Sequence, residues 1–486
     1  MIRKADSASP KKSVLYSWNA SNGMIAVFTG VFILLISSIF FTVQLMNPAW
    51  VIYSVLMLVI FFSGISYSSG KINIRSEKEF LRWLFFMTLL LRLFYIIFLF
   101  TETNISWGMP FYVGAKDEIK YDRVGEELAT LIRSGRATEV ISHVRDIYEG
   151  IDDIGFPTLI GLIYTVFGRN LVIGRIIMAL FGSYAVILIY KTALLFWETK
   201  IARFAAILAM WFPLSLFYNS VYLKEGLLVM MIMIIIYKTS RWIKENHISA
   251  WNFALIVLVI TAIFLFRTAL GALMFLVVLG SIVFTRYRGS VVLGIFIALI
   301  FLIVFYFTLN LLGESKYFEN QLMSGDEYGT SRLEHISKIN KLAVLGSIPF
   351  FLSIAFFAPF PTLISDLNLS YTNQPHGTLD YQVPGVLVWN LLAFFAIYGL
   401  IYTLRNNRRE TFAIWAFSIG YTLLLVKTSL FTSVRFAYCG LPIMMIFASV
   451  GISKLRKMHF WYMYLFLAAA LVIGWNFFKV AGRGLL

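Results

Sequence analysis

A single cysteine, Cys439, stands in a chain of 486 residues, which excludes an internal disulfide and any thiolate metal cluster. The five histidines show no metal-ligand spacing, and neither a P-loop nor a dinucleotide-type glycine motif is present. Charge is scarce as well. Asp, Glu, Lys and Arg make up 14% of the chain, well below the share in a soluble domain. The space is filled by apolar residues, at 59% of the total with a mean hydropathy of +0.80. Lipid is therefore the expected main solvent, and no separate soluble domain is visible.

Apolar runs of about 18 residues or more recur from end to end, each long enough to cross the hydrocarbon core as a helix. The first, near 24–45, follows Arg3, Lys4, Lys11 and Lys12; a second begins almost at once with no small-residue cleavage site between them, so it reads as a retained helix. A net charge of +16 raises nucleic acid or anionic lipid as partners, but placement matters more than the sum. The basic residues cluster in short loops: Lys71/Arg75/Lys78, Lys191/Lys200/Arg203, Lys238/Arg241/Lys244, Arg286/Arg288, Arg405/Arg408/Arg409 and Lys454/Arg456/Lys457. Assigning these and the N-terminal cluster to the cytoplasm predicts an all-α polytopic membrane protein of about thirteen spans, N-terminus inside and C-terminus outside. The expected spans lie near 24–45, 48–67, 81–101, 171–193, 201–222, 226–239, 250–267, 269–285, 290–312, 386–404, 411–430, 436–453 and 459–478.

Two apolar stretches do not fit as spans, because counting either would put a basic cluster on the wrong side. The stretch 154–168 is short and carries Pro157 near its start, which suits an interfacial or re-entrant helix. The stretch 343–361 ends in Ala358-Pro359-Phe360-Pro361, which cannot continue a helix and is expected at the outer surface. Three regions result: 1–80, a cytoplasmic tail with two spans; 81–285, a core with a first outer loop at 102–170; and 286–486, a C-terminal region with a second outer segment at 314–385. The inner loops are short, so chemistry is expected outside.

The first outer loop opens with Lys116-Asp117-Glu118-Ile119-Lys120-Tyr121-Asp122, then Gly125-Glu126-Glu127-Leu128-Ala129 and a helical pattern through Ile132. A carboxylate at the mouth of a membrane helix can take a proton from a hydroxyl if a dry pocket and nearby cations tune it, and Asp117 is best placed for that. The plainer alternative is a solvated acidic turn capping an amphipathic helix. Asp152 and Asp153 precede the short helix that starts at Gly155, where one of them could be a cap and nothing more. Lys224-Glu225 sits at the outer junction of two apolar helices, which marks either a site or a water-exposed hairpin. Arg267, Lys427 and Arg435 are isolated cations at outer helix ends, where a phosphate at headgroup level would need donors and where snorkelling is the alternative. The second outer segment offers Asp326, Glu327, Tyr328, Arg332, His335, Tyr371, His376, Asp380 and Tyr381, with no spacing that singles one out.

In this order of features the chain resembles the GT-C glycosyltransferases, in particular the branch that uses polyprenyl-phosphate sugars and includes protein O-mannosyltransferases and lipid A aminoarabinose transferases. The resemblance runs from about residue 81 to 239. Asp117-Glu118-x-x-Tyr121 looks like that family's Asp-Glu-x-x-Tyr run; Gly155-Phe156-Pro157-Thr158-Leu159-Ile160, Val166-Phe167-Gly168 and Arg175 follow it, and Tyr222-Leu223-Lys224-Glu225 occupies the place of a second acidic position. It differs in its two extra N-terminal spans and in a glutamate beside a lysine where the family has a lone aspartate. The resemblance implies a GT-C-like bundle with juxtamembrane helices in the first loop and an inverting sugar transfer. Asp117 and Glu118 would be the catalytic carboxylates, Asp117 acting as base, with Tyr121, Asp153, Lys224, Glu225, Arg267 and Arg435 binding substrate. The implied partners are a polyprenyl-phosphate-linked sugar, a glycan, lipid or protein acceptor, and membrane lipids, but no nucleic acid. No cofactor is expected; a divalent ion bridging Asp117, Glu225 and the phosphate is chemically possible. The expected setting is the outer face of a bacterial inner membrane, in envelope or exopolysaccharide assembly. Alternatives are an oligosaccharide polymerase or ligase with a diphosphate donor, and a lipid-linked sugar flippase or transporter. Transporters place polar groups at midplane and show repeats, whereas here Arg92 and Arg175 are the charges that fall inside spans.

Overall fold

The computed structural model describes residues 20–40, 48–70, 72, 76–112, 116–148, 153–286, 354–363, 379–428, 430 and 433–481. The expected span 290–312, Asp152, and the second-segment residues Asp326, Glu327, Tyr328, Arg332, His335, Tyr371 and His376 lie outside the described residues.

Among the described residues the chain is helical, with no strand. In order it forms α1 (Ala20–Phe40), α2 (Pro48–Ser69), α3 (Glu77–Trp107), α4 (Lys116–Arg133), α5 (Val140–Tyr148), α6 (Gly155–Phe167) and α7 (Leu171–Phe196). Then follow α8 (Thr199–Trp211), α9 (Pro213–Tyr218), α10 (Glu225–Glu245), α11 (Ala250–Phe266), α12 (Thr268–Arg286), α13 (Val383–Asn406), α14 (Phe412–Lys427), α15 (Val434–Tyr438), α16 (Leu441–Lys454) and α17 (His459–Ala481). Seven of the described helices, α1, α2, α3, α7, α10, α13 and α17, are long and apolar enough to cross a membrane. Five more, α6, α11, α12, α14 and α16, are apolar but shorter. This is the architecture of a polytopic membrane protein.

Local chemistry sets where these helices begin and end. At the start of α3 the Ser76 hydroxyl accepts from the Glu79 amide while the Glu79 carboxylate accepts from the Ser76 amide, and Gly108 in the left-handed region closes the other end. Asn170 caps α7 and Ser249 caps α11 through their side-chain oxygens. The expected continuous span over 201–222 is broken. Pro213 has no amide hydrogen to give and clashes with the preceding turn, so α8 stops at Trp211, α9 restarts at Pro213, and the chain runs non-helically from Asn219 to Lys224. The whole stretch is buried, which is where unwound backbone is tolerated at membrane depth.

The core is centred on α7, which packs against α3, α8 and α10, while α16 lies between α13 and α8. The Ala358-Pro359-Phe360-Pro361 turn is buried against α13 and α17. The carbonyls freed by its prolines are taken up by side-chain donors: Trp389 and Asn390 serve Phe357, Ala358 and Pro359, and Asn476 serves Pro361. Between α3 and α7, α4 crosses α6 at Gly125 and Gly161, where a Cβ would run into Ile160 and Leu128 respectively. That crossing fixes which face of α4 turns inward.

The bundle has two distinct ends. Arg203 donates to the Ile72 carbonyl and Lys244 to the Leu195 carbonyl, and Lys454 pairs with Glu198 at 3.8 Å. These contacts gather the loops between α2 and α3, α7 and α8, and the C-termini of α10 and α16. Glu225 begins α10 at the other end, and Glu245 closes this 21-residue helix about 30 Å away.

Candidate ionic site at the Glu225 end

The site grows from the first turn of α4. Neighbouring residues on a helix point about 100° apart, so Asp117 and Glu118 face different surroundings. Glu118 is fully buried. One of its oxygens accepts from Arg175 Nη2 at 2.8 Å and from the Tyr222 amide at 2.7 Å, and the other accepts from the Tyr112 amide at 2.7 Å. Arg175 also donates to the Pro110 carbonyl at 2.6 Å, so this pair pins the start of α4 to α7 and to the chain leaving α3. Asp117, at 44% side-chain exposure, turns instead to the Arg435 guanidinium and pairs with its Nη1.

Arg435 is carried by the short α15, 318 residues further along the chain. Its Nε donates to Glu225 Oε1 at 2.6 Å. Glu225 is fully buried at the first position of α10, where the helix dipole favours negative charge, and the same oxygen takes a second bond from Arg267 Nη2 at 3.4 Å. Arg267 occupies an extended residue between α11 and α12; its guanidinium lies 4.5 Å from the centre of the Phe436 ring and 3.9 Å from the Cys439 sulfur. Lys224, 3% exposed, donates to the Phe266 carbonyl at 2.8 Å and pairs with Asp153. Asp153 sits at a φ of 69°, in the left-handed region that Asp tolerates better than most residues, and so closes the loop before α6 over Lys224.

The cluster therefore joins three cations, Lys224, Arg267 and Arg435, to three carboxylates, Asp117, Asp153 and Glu225. Burial alone would weaken the Arg435 charge, but Glu225, Tyr121 and Asp117 outweigh it and hold the guanidinium protonated above its usual range. Tyr121 is one helical turn from Asp117 and 1% exposed, and its ring meets Phe156 edge-on at 5.0 Å. Burial pushes its hydroxyl well up, against the pull of Arg435. Among the described residues, the Tyr121 hydroxyl and Glu225 Oε2 are buried without a hydrogen-bond partner. An unpaired buried hydroxyl can donate to an acceptor on a ligand, whereas an unpaired carboxylate oxygen calls for a donor.

All eight residues predicted for the site, Asp117, Glu118, Tyr121, Asp153, Lys224, Glu225, Arg267 and Arg435, lie at this end of the bundle. The Lys224-Glu225 junction is buried and not a water-exposed hairpin. Glu118 belongs to the neighbouring structural pair with Arg175 and not to the mixed cluster. Lys427 is exposed at the end of α14, and Asp380 accepts from the Gln382 amide at 2.9 Å just ahead of α13. A second network, not among the predicted site residues, lies further along α4. Asp122 takes the Tyr164 hydroxyl at 2.5 Å and Arg169 at 2.6 Å, and Glu126 takes Arg169 at 2.5 Å. The signal available was the four-residue spacing of Asp122 and Glu126 on one face of α4.

Among the described residues no group of three or more His, Cys, Asp or Glu side chains could hold a metal ion. Asp117 and Glu225, the pair considered for a bridging divalent ion, are spanned by Arg435. A cavity of 40 Å³ is bordered by Trp389, Tyr421, Ala437 and Leu441 and by none of the ionic residues; the Tyr421 hydroxyl donates to the Phe436 carbonyl at 2.7 Å. A larger apolar groove of 570 Å³, lined by Phe357, Phe394, Tyr398 and Phe460 among others, has none of the ionic residues in its walls. No protein-family model matches the chain, and a search of curated proteins finds no match.

Proposed function

We propose that this chain is an inverting membrane glycosyltransferase of the GT-C type, moving a sugar from a polyprenyl-phosphate carrier to an acceptor hydroxyl on the extracytoplasmic face. On this reading it has about thirteen spans with the N-terminus cytoplasmic, and it serves envelope or exopolysaccharide assembly in a bacterial inner membrane. The observation that supports it is the meeting of Asp117 with Arg435 and, through Glu225, with Arg267, at the end of the bundle away from the basic loops.

Arginine matches phosphate oxygens with directed, charge-assisted hydrogen bonds, and two of them share one buried carboxylate here. The carrier phosphate is bound by Arg435 and Arg267, with Lys224 adding charge. Asp117 removes the proton from the acceptor hydroxyl. The acceptor oxygen bonds to the anomeric carbon as the bond from that carbon to the phosphate oxygen breaks, and the electron pair leaves with the phosphate. The phosphate thereby gains one negative charge while Asp117 loses one, so the net charge of cluster and ligand stays constant through the step. Holding the leaving phosphate among fixed guanidinium groups supplies much of the rate. Glu118, with both oxygens committed to Arg175, Tyr112 and Tyr222, holds α4 in place and leaves the base role to Asp117.

The test is purified protein in detergent, given a polyprenyl-phosphate sugar and a polyol acceptor. Release of polyprenyl monophosphate is the expected result. Release of a diphosphate from a diphosphate-linked donor would instead favour the polymerase or ligase reading. No release, together with movement of the lipid across vesicles, would favour a flippase and sink the proposal.

A further inference from the structure

Arg435 serves two carboxylates that differ greatly in burial. Its Nε rests on Glu225, which is fully buried and shared with Arg267, while its Nη1 reaches Asp117, which is 44% exposed. A buried carboxylate cannot let go of its cations without leaving a charge uncompensated in a low-dielectric interior. An exposed one can, because water takes the place of the guanidinium at little cost. Of the two partners, Asp117 is therefore the replaceable one.

The cluster is also neutral at rest, with three cations against three carboxylates. A lipid-linked phosphodiester brings one further negative charge, and a guanidinium facing both that anion and Asp117 has to divide its hydrogen bonds between them. A carboxylate clamped on a guanidinium is a poor base, since its lone pairs are engaged and its charge is neutralised. The Tyr121 hydroxyl, a donor that a phosphate oxygen can accept from, is buried without a partner one helical turn from Asp117. The resting site thus has its base engaged by Arg435 and a buried hydroxyl donor left unpaired.

We propose that Arg435 is a shared guanidinium which holds Asp117 in check until the phosphate of the incoming donor takes Asp117's place, so that the base is freed only once the donor is seated. This rests on the donor reading above and adds an order of events to it: donor first, then acceptor. It also limits wasteful chemistry, because an acceptor or water arriving at the empty site meets a carboxylate that is already occupied.

The swap makes a prediction that runs against the usual effect of mutating a site residue. If Asp117 competes with phosphate for Arg435, removing its charge strengthens phosphate binding. Farnesyl phosphate, a sugar-free prenyl phosphate, serves as the probe, titrated calorimetrically into the full-length protein in detergent, wild type and Asp117→Asn. The variant is expected to bind severalfold more tightly. Inorganic phosphate is expected to show the same sign with weaker binding, which separates the headgroup contribution from that of the prenyl chain. A second readout is carbodiimide-driven amidation of carboxylates followed by mass spectrometry. Asp117 modification should rise severalfold in wild-type protein when farnesyl phosphate is added, and in Arg435→Lys it should start higher and respond less. Equal or weaker binding by Asp117→Asn, with farnesyl phosphate bound by both proteins, overturns the swap while the donor reading stands. If neither protein binds farnesyl phosphate, the donor reading falls and takes this inference with it.

Discussion

The two ends of the bundle hold their cations in opposite ways. At the basic end, Arg203 and Lys244 rest on the carbonyls of Ile72 and Leu195, Lys238 rests on the Asn252 side chain at 2.6 Å, and the ion pairs Arg241 to Glu245 and Lys454 to Glu198 are exposed. At the other end Arg175, Arg267, Arg435 and Lys224 meet carboxylates, and two of these, Glu118 and Glu225, have no solvent contact at all. Cations on carbonyl dipoles near helix ends are ordinary end fittings; water can substitute for the contact of the exposed Lys244, while Arg203 is buried on the Ile72 carbonyl. Buried carboxylates are another matter. An ion pair taken out of water contributes little net stability but is costly to break from one side: Glu118 with Arg175 pins α4 to α7, whereas Glu225, shared by Arg267 and Arg435, holds two cations side by side.

The largest contrast between the ends is all or none. Cys439 is buried, so the native chain gives a low background for thiol labelling. Ser134, just past α4, and Glu410, between α13 and α14, are both exposed and lie at opposite ends. In intact cells a membrane-impermeant maleimide should label Ser134→Cys at once and Glu410→Cys only after permeabilisation. The reverse pattern would put the Glu225 end in the cytoplasm and break the proposed orientation.

Next in size is the loss of the base. Asp117→Asn removes a general base, which is expected to lower transfer by about 10²–10⁴-fold. The exposed pair it breaks with Arg435 is worth only about 0–1 kcal/mol, so the unfolding midpoint in detergent should stay close to wild type. Turnover at the wild-type level would remove Asp117 from the chemistry.

Glu118→Gln should behave the other way round, as a stability defect. Glu118 and Arg175 are both fully buried, and the amide would leave Arg175 without its counter-charge and set an N–H against the Tyr112 or Tyr222 amide. Breaking one side of a buried pair costs about 3–5 kcal/mol. The check is the thermal midpoint of the purified variant, expected to drop by many degrees, with remaining activity tracking the folded fraction. A variant that folds normally but has no activity would move Glu118 into the reaction itself.

The scarcity of charge explains why this end of the molecule can be read from residues alone. Where nearly everything is apolar, Lys224, Glu225, Arg267 and Arg435 each stand out, because lipid does not tolerate a charge without a reason, whereas Asp117 shares its loop with Lys116, Glu118, Lys120 and Asp122 and is singled out by its place at the mouth of the bundle and by the family resemblance. The helix through Ile132 is legible for a similar reason: its polar and apolar residues alternate with helical period, and α4 ends at Arg133. What could not be read is rotation. Asp117 and Glu118 are equivalent in a sequence, and only the close crossing of α4 and α6 at Gly125 and Gly161 decides that Glu118 turns into the core while Asp117 faces Arg435. The break at Pro213 was hidden by the apolar run around it, although proline inside a helix is a known interruption. The left-handed turn at Asp153 and the burial of the 358–361 turn depend on tertiary partners, Lys224 in one case and Asn390 and Asn476 in the other.

The smallest expected effect belongs to the basic end and serves as the control for all the others. Lys454 and Glu198 approach to 3.8 Å with Glu198 74% exposed, so the pair is loose and solvated. In that setting side-chain ordering offsets most of the attraction, and the contribution to stability is about 0–1 kcal/mol. Lys454→Gln should leave both the thermal midpoint and sugar transfer within error of wild type, measured in the same detergent assay as Asp117→Asn. Removing one cation from a loop that keeps Arg456 and Lys457 should also leave the topology unchanged, since orientation follows the summed bias of the loops. A loss of transfer in Lys454→Gln without unfolding would mean that the two ends are coupled through α16, and the division of labour between them would have to be redrawn.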